Sequence, residues 1–308
     1  MNCKTPRLPA CPNCCTYPKN RPTRVRRSGF FRRAASQKPI QRFFCFDCGR
    51  GFSDATFTFE YRQRRRELNK PIFMALASNV SMRRAATIVV TNRKTVDRRL
   101  IYFDRVARDY HDNLLAGLEP QKNIQFDDME TSEYTKLKPL AIPLVVTHPN
   151  RIIISYDVAE MPAKGHLAAL SVKKYGRRQD LRAAAWANVL SRAATVTTPT
   201  VVISSDSHKR YPEMIRKHLP DAEHVQVNSR RACVAGQGEL KKGGFDPIFS
   251  INHTAAMLRA NINRLIRKTW CTTKRKDRLL CHISLYVLWH NETILAKLEN
   301  RKRAFPFP

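Results

Sequence analysis

Four short runs of apolar and β-branched residues punctuate the chain after about residue 120. They are KNIQFDD (122–128), LAIPLVVTH (140–148), RIIISYDVA (151–159) and TVVISSD (200–206), each bounded by turn residues. That pattern predicts strands, half-buried or wholly buried. Between the third and fourth lies RQDLRAAAWANVLSRAAT (178–195), whose alanines predict a helix. Helical spacing returns over 252–268 and 277–291. The order βββ-α-β-α-β-α-α implies an α/β domain built on a mixed sheet. No internal repeat is visible, and the Gly-rich stretch GQGELKKGGFDP (236–247) carries no phosphate-loop motif.

Ahead of this domain the period is helical. IFMALASNVSMRRAATIVVTNRKTVDRRLIYF (72–103) has the layout of a helix-turn-helix. Phe73, Leu76 and Ala77 form one apolar face. Ser81 is placed to cap a second helix whose Ala85 and Ala86 allow close approach. Val90-Thr91-Asn92 makes the turn, and Thr91 or Asn92 caps a third helix. That helix is expected to bury Val96 and Leu100 and to expose Arg93, Lys94, Arg98 and Arg99 toward DNA.

Charge sharpens this reading. The chain has 308 residues with 56 Lys and Arg against 25 Asp and Glu, a net charge of +31, while 43% of residues are hydrophobic. A folded chain this basic calls for a polyanionic partner, and nucleic acid is the leading candidate, which the helix-turn-helix narrows to double-stranded DNA. Residues 1–110 carry 25 Lys and Arg against 7 Asp and Glu. Length and composition divide the chain into 1–54, 55–118 and 119–308. No apolar run approaches a membrane span, and the first residues lack a secretory core, so a cytosolic location and no membrane partner are expected.

In a reducing compartment nine cysteines point to metal before disulfides. Cys11-Pro-Asn-Cys14 and Cys45-Phe-Asp-Cys48-Gly form two C-x2-C knuckles with 30 residues between them. Four thiolates paired this way suit a structural Zn²⁺ in a zinc ribbon. The long intervening loop offers Arg21, Arg24, Arg26, Arg27, Arg32 and Arg33 to phosphates. Cys3 and Cys15 are spare, with Cys15 able to replace Cys14, and Cys233, Cys271 and Cys281 show no pairing pattern. Arg62 and Arg64–Arg66 read as a basic linker.

Against this background Asp127, Asp128, Glu130 and Glu133 crowd IQFDDMETSEY (124–134). Asp127 ends one predicted strand and Asp206 another. Carboxylates at the ends of neighbouring strands can share divalent ions, and on a DNA-binding chain they favour metal-dependent phosphodiester chemistry with Mg²⁺ or Mn²⁺.

In order along the chain, CPNC…QRFFCFDCGRGF, the helix-turn-helix, FDDMET, VVISSDSHKRY and INHTAAMLRANINRLIRKT resemble bacterial insertion-sequence transposases of the IS-one group and its zinc-ribbon relatives. The resemblance covers nearly the whole chain and is most specific over 251–269. It implies a ribonuclease-H-like catalytic domain with an Asp-Asp-Glu triad, DNA cleavage and strand transfer, and an oligomer on DNA in the bacterial nucleoid. By match Asp127 is the first acid and Asp206 the second. The third position is Asn252 rather than Glu, and related transposases accept Asn there. His253 and Asp128 stand as alternates. On the basic helix 252–268, Arg259 and Lys268 are expected to touch DNA near the site, with Arg264 and Arg267 only solvated. Trp186, Trp270 and Trp289 are expected in the core. A catalytically inactive DNA-binding regulator, or a stand-alone metal-dependent nuclease, is the alternative.

Overall fold

The computed structural model describes residues 8–14, 24–33, 36–228, 246–266 and 270–307. Cys3, Cys15, Arg21, Cys233, Arg267 and Lys268 lie outside the described residues, as do most of the Gly-rich stretch and the side chain of Arg33. The chain divides into two compact units, residues 1–66 and 67–308.

The first unit is an antiparallel sheet of β1 (Val25–Arg33), β2 (Ser36–Cys45) and β3 (Gly51–Ser53) in the order β1-β2-β3. Its described core is small. Cys11, Phe43, Cys45 and Ala55 are the buried apolar residues. Arg24, Arg26, Arg27 and Arg32 are exposed along the ribbon, and Arg62, Arg64 and Arg65 along the segment after it.

The second unit opens with α1 (Asn69–Ala77), α2 (Met82–Ile88) and α3 (Arg93–Ala116). The expected caps form. Ser81 Oγ accepts from Arg84 N at 3.3 Å, and Asn92 Oδ1 accepts from Lys94 N at 2.8 Å. Val90 turns the chain between them with φ +50°. Ile72, Phe73, Leu76, Ala85, Val96, Leu100 and Phe103 bury the inner faces. One expectation fails here: Arg99 is buried rather than exposed. It lies three residues from Val96 and one from Leu100, so the helical period carries it onto the inner face. Arg93, Lys94 and Arg98 are exposed as expected. The same core takes in Leu285 and Leu288 of α8 (Lys276–Leu298), with Phe307 from the C-terminal segment. Phe307 sits 4.7 Å from Phe73 and 5.0 Å from Phe103. A piece ending near residue 110 would lose that packing.

The sheet of the second unit is mixed. It runs β6-β5-β4-β8-β9, with β4 (Gln121–Ser132), β5 (Pro139–Thr147), β6 (Ile153–Tyr156), β8 (Thr197–Asp206) and β9 (Glu223–Val227). Short β7 (Ala159–Glu160) also pairs with β5. β4, β5 and β6 pair antiparallel, and β4, β8 and β9 pair parallel. Alternate residues of β4 serve different layers. Ile124 and Phe126 pack with Trp186, Val189 and Leu190 of α5 (Arg182–Ala194) and with Tyr211 and Ile215 of α6 (Tyr211–His218). Met129 packs on the other face with Ile251 and Leu258 of α7 (Phe249–Asn261) and Ile283 of α8. Helix α4 (Leu167–Tyr175), which the apolar pattern does not announce, lies between β7 and α5 with most of its residues exposed.

α7 is shorter than expected: it ends at Asn261 and gives way to a 3-10 turn, Asn263–Leu265. Arg264, expected in solvent, is half-buried, and desolvation lowers its pKa. Trp186 is buried and Trp289 packs between two core clusters, but Trp270 is fully exposed rather than in the core. No helix among the described residues is long and apolar enough to cross a membrane.

Candidate active site and cysteine cluster

β4 and β8 run parallel with Phe126 opposite Ser205. Asp127 and Asp206 are the next residues on each strand, so the pleat sends both toward the α7 layer. Burial, then the charge of Asp206, pushes the Asp127 carboxyl up to about 7; the amide of Asp128, Arg259 and the Tyr211 hydroxyl act against that rise. The Asp128 amide donates to Asp127 Oδ1 at 2.8 Å. Asp206 Oδ1 accepts from His208 N at 3.1 Å. Two neighbouring carboxylates, one of them desolvated, could offer oxygens to a hard divalent cation.

Asp128 takes the opposite face of the strand. Trp186 Nε1 donates to its two oxygens at 2.9 and 2.8 Å, and burial pushes its carboxyl up to about 7 as well. Beneath the acids the Tyr211 ring sits 4.7 Å from Phe126, 5.4 Å from Trp186 and 4.6 Å from His208.

A raised carboxyl pKa makes a falling contribution to stability as pH climbs. The folded protein holds the proton more tightly than the unfolded chain between the ordinary carboxylate range and about 7. The metal-free protein should therefore lose stability through that window and level off above it. Asp127→Asn should raise the melting temperature at pH 8 and flatten the slope, as thermal melts across pH would register. No gain at pH 8 would mean that Asp127 ionises there without cost.

Asn252 is in the first turn of α7, and its Nδ2 donates to Asp246 Oδ2 at 2.7 Å. That bond fixes the amide so that the nitrogen faces Asp246. Asp246 Oδ1 also accepts from Ile248 N at 3.1 Å, tying the helix start. Gln125, two residues before Asp127 and on the same face of β4, pins this turn to the strand. Its Oε1 accepts from Ile251 N at 2.9 Å and its Nε2 donates to Pro247 O at 3.0 Å. Arg259 lies two turns beyond Asn252 on the same side of α7 and stands close enough to lower the pKa of Asp127. His253 turns elsewhere: Arg151 Nη1 approaches its ring nitrogens at 3.1 and 3.3 Å, and burial lowers its pKa.

Gln125, Trp186, His208, Tyr211 and Asp246 were not singled out as site residues. The available signal for Gln125 was a long amide inside an apolar strand at i−2 from an acid. Asp246 and Asn252 are six residues apart, and only the helix start brings them together.

In the first unit Cys11 Sγ lies 3.7 Å from Cys48 Sγ, and Cys14 Sγ 3.8 Å from Cys45 Sγ. All four sulfurs fall within 4.8 Å of one another. A tetrahedron with zinc–sulfur bonds of about 2.3 Å has edges of about 3.8 Å, so the cluster fits that ion. Gly49, at φ +67°, makes the turn after Cys48. The amide of Arg50 is the main influence on Cys48 and helps bring its thiol down to about 7, whereas neighbouring thiols, Cys48 foremost, and burial push Cys14 up. Four thiols crowded without a cation repel a second charge, which a bound cation would relieve. Cys271 is exposed and Cys281 buried.

No protein-family profile matches the chain, and no curated protein matches it. Among solved structures, the catalytic domain of Mos1 mariner transposase is similar at 12% identity, over 66% of this chain and 89% of that one, with a TM-score of 0.27. The Mos1 strand transfer complex is similar at 12% identity over 75% and 76%, TM-score 0.24. A simian T-cell lymphotropic virus intasome in complex with PP2A regulatory subunit B56 gamma is similar at 13% identity over 69% and 72%, TM-score 0.21. These likenesses are too distant to carry a conclusion, and the chemistry rests on this chain's own residues.

Proposed function

We propose that this protein is a DNA transposase whose Asp127 and Asp206 hold divalent metal for strand cleavage and transfer, with Asn252 as the third residue. The observation that carries the reading is the like-charge pair itself: two acids in step on parallel strands, facing α7, with Asp127 raised by burial and by Asp206. The sheet order supports the ribonuclease-H-like assignment, because three antiparallel strands continue into two parallel ones with the acids on the central strand and its parallel neighbour.

Asp127 and Asp206 would hold Mg²⁺ or Mn²⁺; when bound, the ions supply a charge that activates an attacking oxygen and steadies the leaving one. The chain's own residues do the positioning. Tyr211 and the Asp128 amide aim the Asp127 carboxylate. The Asp246 bond turns Asn252 so that Oδ1 is the atom it offers a cation, and Gln125 holds the turn that carries it. Trp186 keeps Asp128 on the other face, as part of the wall. One observation favours a second reading, DNA binding without cleavage: the third residue is neutral, and Arg259 already sets positive charge beside Asp127. Strand cleavage with Mg²⁺ or Mn²⁺ by protein that binds its DNA separates the two.

We assign recognition of double-stranded DNA to α3 and the zinc-ribbon unit, with assembly of more than one copy on the DNA. Arg93→Ala, Lys94→Ala and Arg98→Ala should each weaken binding by the full chain and lower the salt slope by about one. Arg99→Ala, from a buried position, should move the melting temperature instead. Anisotropy titrations across salt would reveal this, and an unchanged slope in the triple variant would remove α3 from the interface.

A further inference from the structure

Just past the C-terminal end of β4, at Tyr134, and at the end of α4, at Tyr175, the chain displays two tyrosine rings that nothing in the proposed cleavage chemistry uses. Tyr134 is 55% exposed and Tyr175, the last residue of α4, 42% exposed. The Lys138 ammonium lies 5.8 Å from the centre of each ring, so one cation sits between them. Lys274 stands over the Tyr134 ring at 4.5 Å and Lys174 over that of Tyr175 at 5.6 Å, so each ring face in these contacts carries the tip of a flexible lysine. Lys138 also pairs with Glu133 at 2.7 Å, which anchors it. Tyr134 is held in the left-handed backbone region at φ +59°, with its amide donating to Thr273 O at 2.8 Å. A bulky residue is costly there, and Gly would relieve the strain. The fold therefore spends backbone strain on keeping a large ring at the surface, a pattern met at binding sites.

We propose that Tyr134 and Tyr175, with Lys138, Lys174 and Lys274, form a platform that stacks unpaired DNA bases just past the C-terminal end of β4. Lysines alone would serve a duplex backbone, since paired bases hide their faces in the stack. Exposed rings covered only by lysine tips match a single strand: a base takes the ring face as the displaced ammonium turns to the adjoining phosphate. The net charge of +31 favours a polyanion over any neutral partner. The inference does not rest on the cleavage reading: a protein that never cuts would still hold unpaired DNA here.

The test is binding of full-length protein to a labelled oligothymidylate and, separately, to a hairpin duplex of equal length. Tyr134→Gly suits the backbone at that position, so it removes the ring without threatening the fold; Tyr175→Ala removes the other. Together they should weaken oligothymidylate binding about 10-fold or more and leave duplex binding where it was. Tyr134→Phe and Tyr175→Phe should keep full affinity, because the ring face and not the hydroxyl is used. The proposal is overturned if the Gly/Ala pair binds oligothymidylate like wild type or loses both probes equally. It is also overturned if the Phe variants fail like the truncations, or if only competition by polyglutamate responds, which would assign the platform to an acidic protein.

Discussion

Asp206→Ala, or Asp127→Ala, should lower DNA cleavage by about 10³-fold or more while leaving DNA affinity intact. Each removes one of two neighbouring carboxylates, and neither carboxylate belongs to the exposed basic face of α3. Asn252 answers to finer geometry. Asn252→Ala deletes a neutral oxygen and should cut activity strongly but leave a residue of it. Restoring Glu at this position looks beneficial from the sequence pattern, yet the Nδ2 bond to Asp246 at 2.7 Å argues otherwise. Asn252→Glu would set a carboxylate against the Asp246 carboxylate and release the helix start. It should therefore be worse than wild type, and Asp246→Asn combined with it should recover part of the loss, a coupling that a double-mutant cycle measures. Equal rates in Asn252→Glu with and without Asp246→Asn would break the link between the two side chains. His253→Ala, engaged with Arg151, should matter little.

Cys45→Ala should release one zinc per chain and unfold the first unit while the second unit still melts cooperatively. The reason is how little else holds the first unit. Two of the four buried apolar residues among its described residues are themselves cysteines of the cluster, and a three-stranded sheet with so small a described core falls short of independent stability. A structural zinc contributes on the order of 10 kcal/mol to such a fold. Elemental analysis and limited proteolysis along the arginine-rich segment near residue 62 would check both halves. Full zinc content in Cys45→Ala, or an unchanged cleavage pattern, would contradict the assignment.

The features that sequence reading captured are those set by local chemistry. Ser81 and Asn92 announce helix starts because their short oxygens cap amides in their own segment. The cysteine pairs announce a cluster because two residues of spacing suit one tetrahedral edge pair. Strands β4, β5, β6 and β8 followed from β-branched runs, while β7 and β9 carry no such run. What was missed depends on the third dimension. Arg99 looked like a recognition residue from its charge, but three residues from Val96 is the inner face. Trp270 looked like core from its side chain alone and is bare. The Gln125 contact with Ile251 spans 126 residues of chain, and no pattern within either segment encodes it. Tyr134 owes its exposure to a left-handed turn bonded to Thr273, again across the chain.

The most direct measurement of the account takes full-length protein and supercoiled DNA carrying the sequences that flank its gene, with Mg²⁺ or Mn²⁺, and compares wild type with Asp127→Asn/Asp206→Asn at equal bound fraction. Wild type should give nicked products, with none in chelator and none from the double variant. Wild-type protein that binds this DNA and never cuts it with either ion, or a double variant that cuts as well as wild type, would contradict the account.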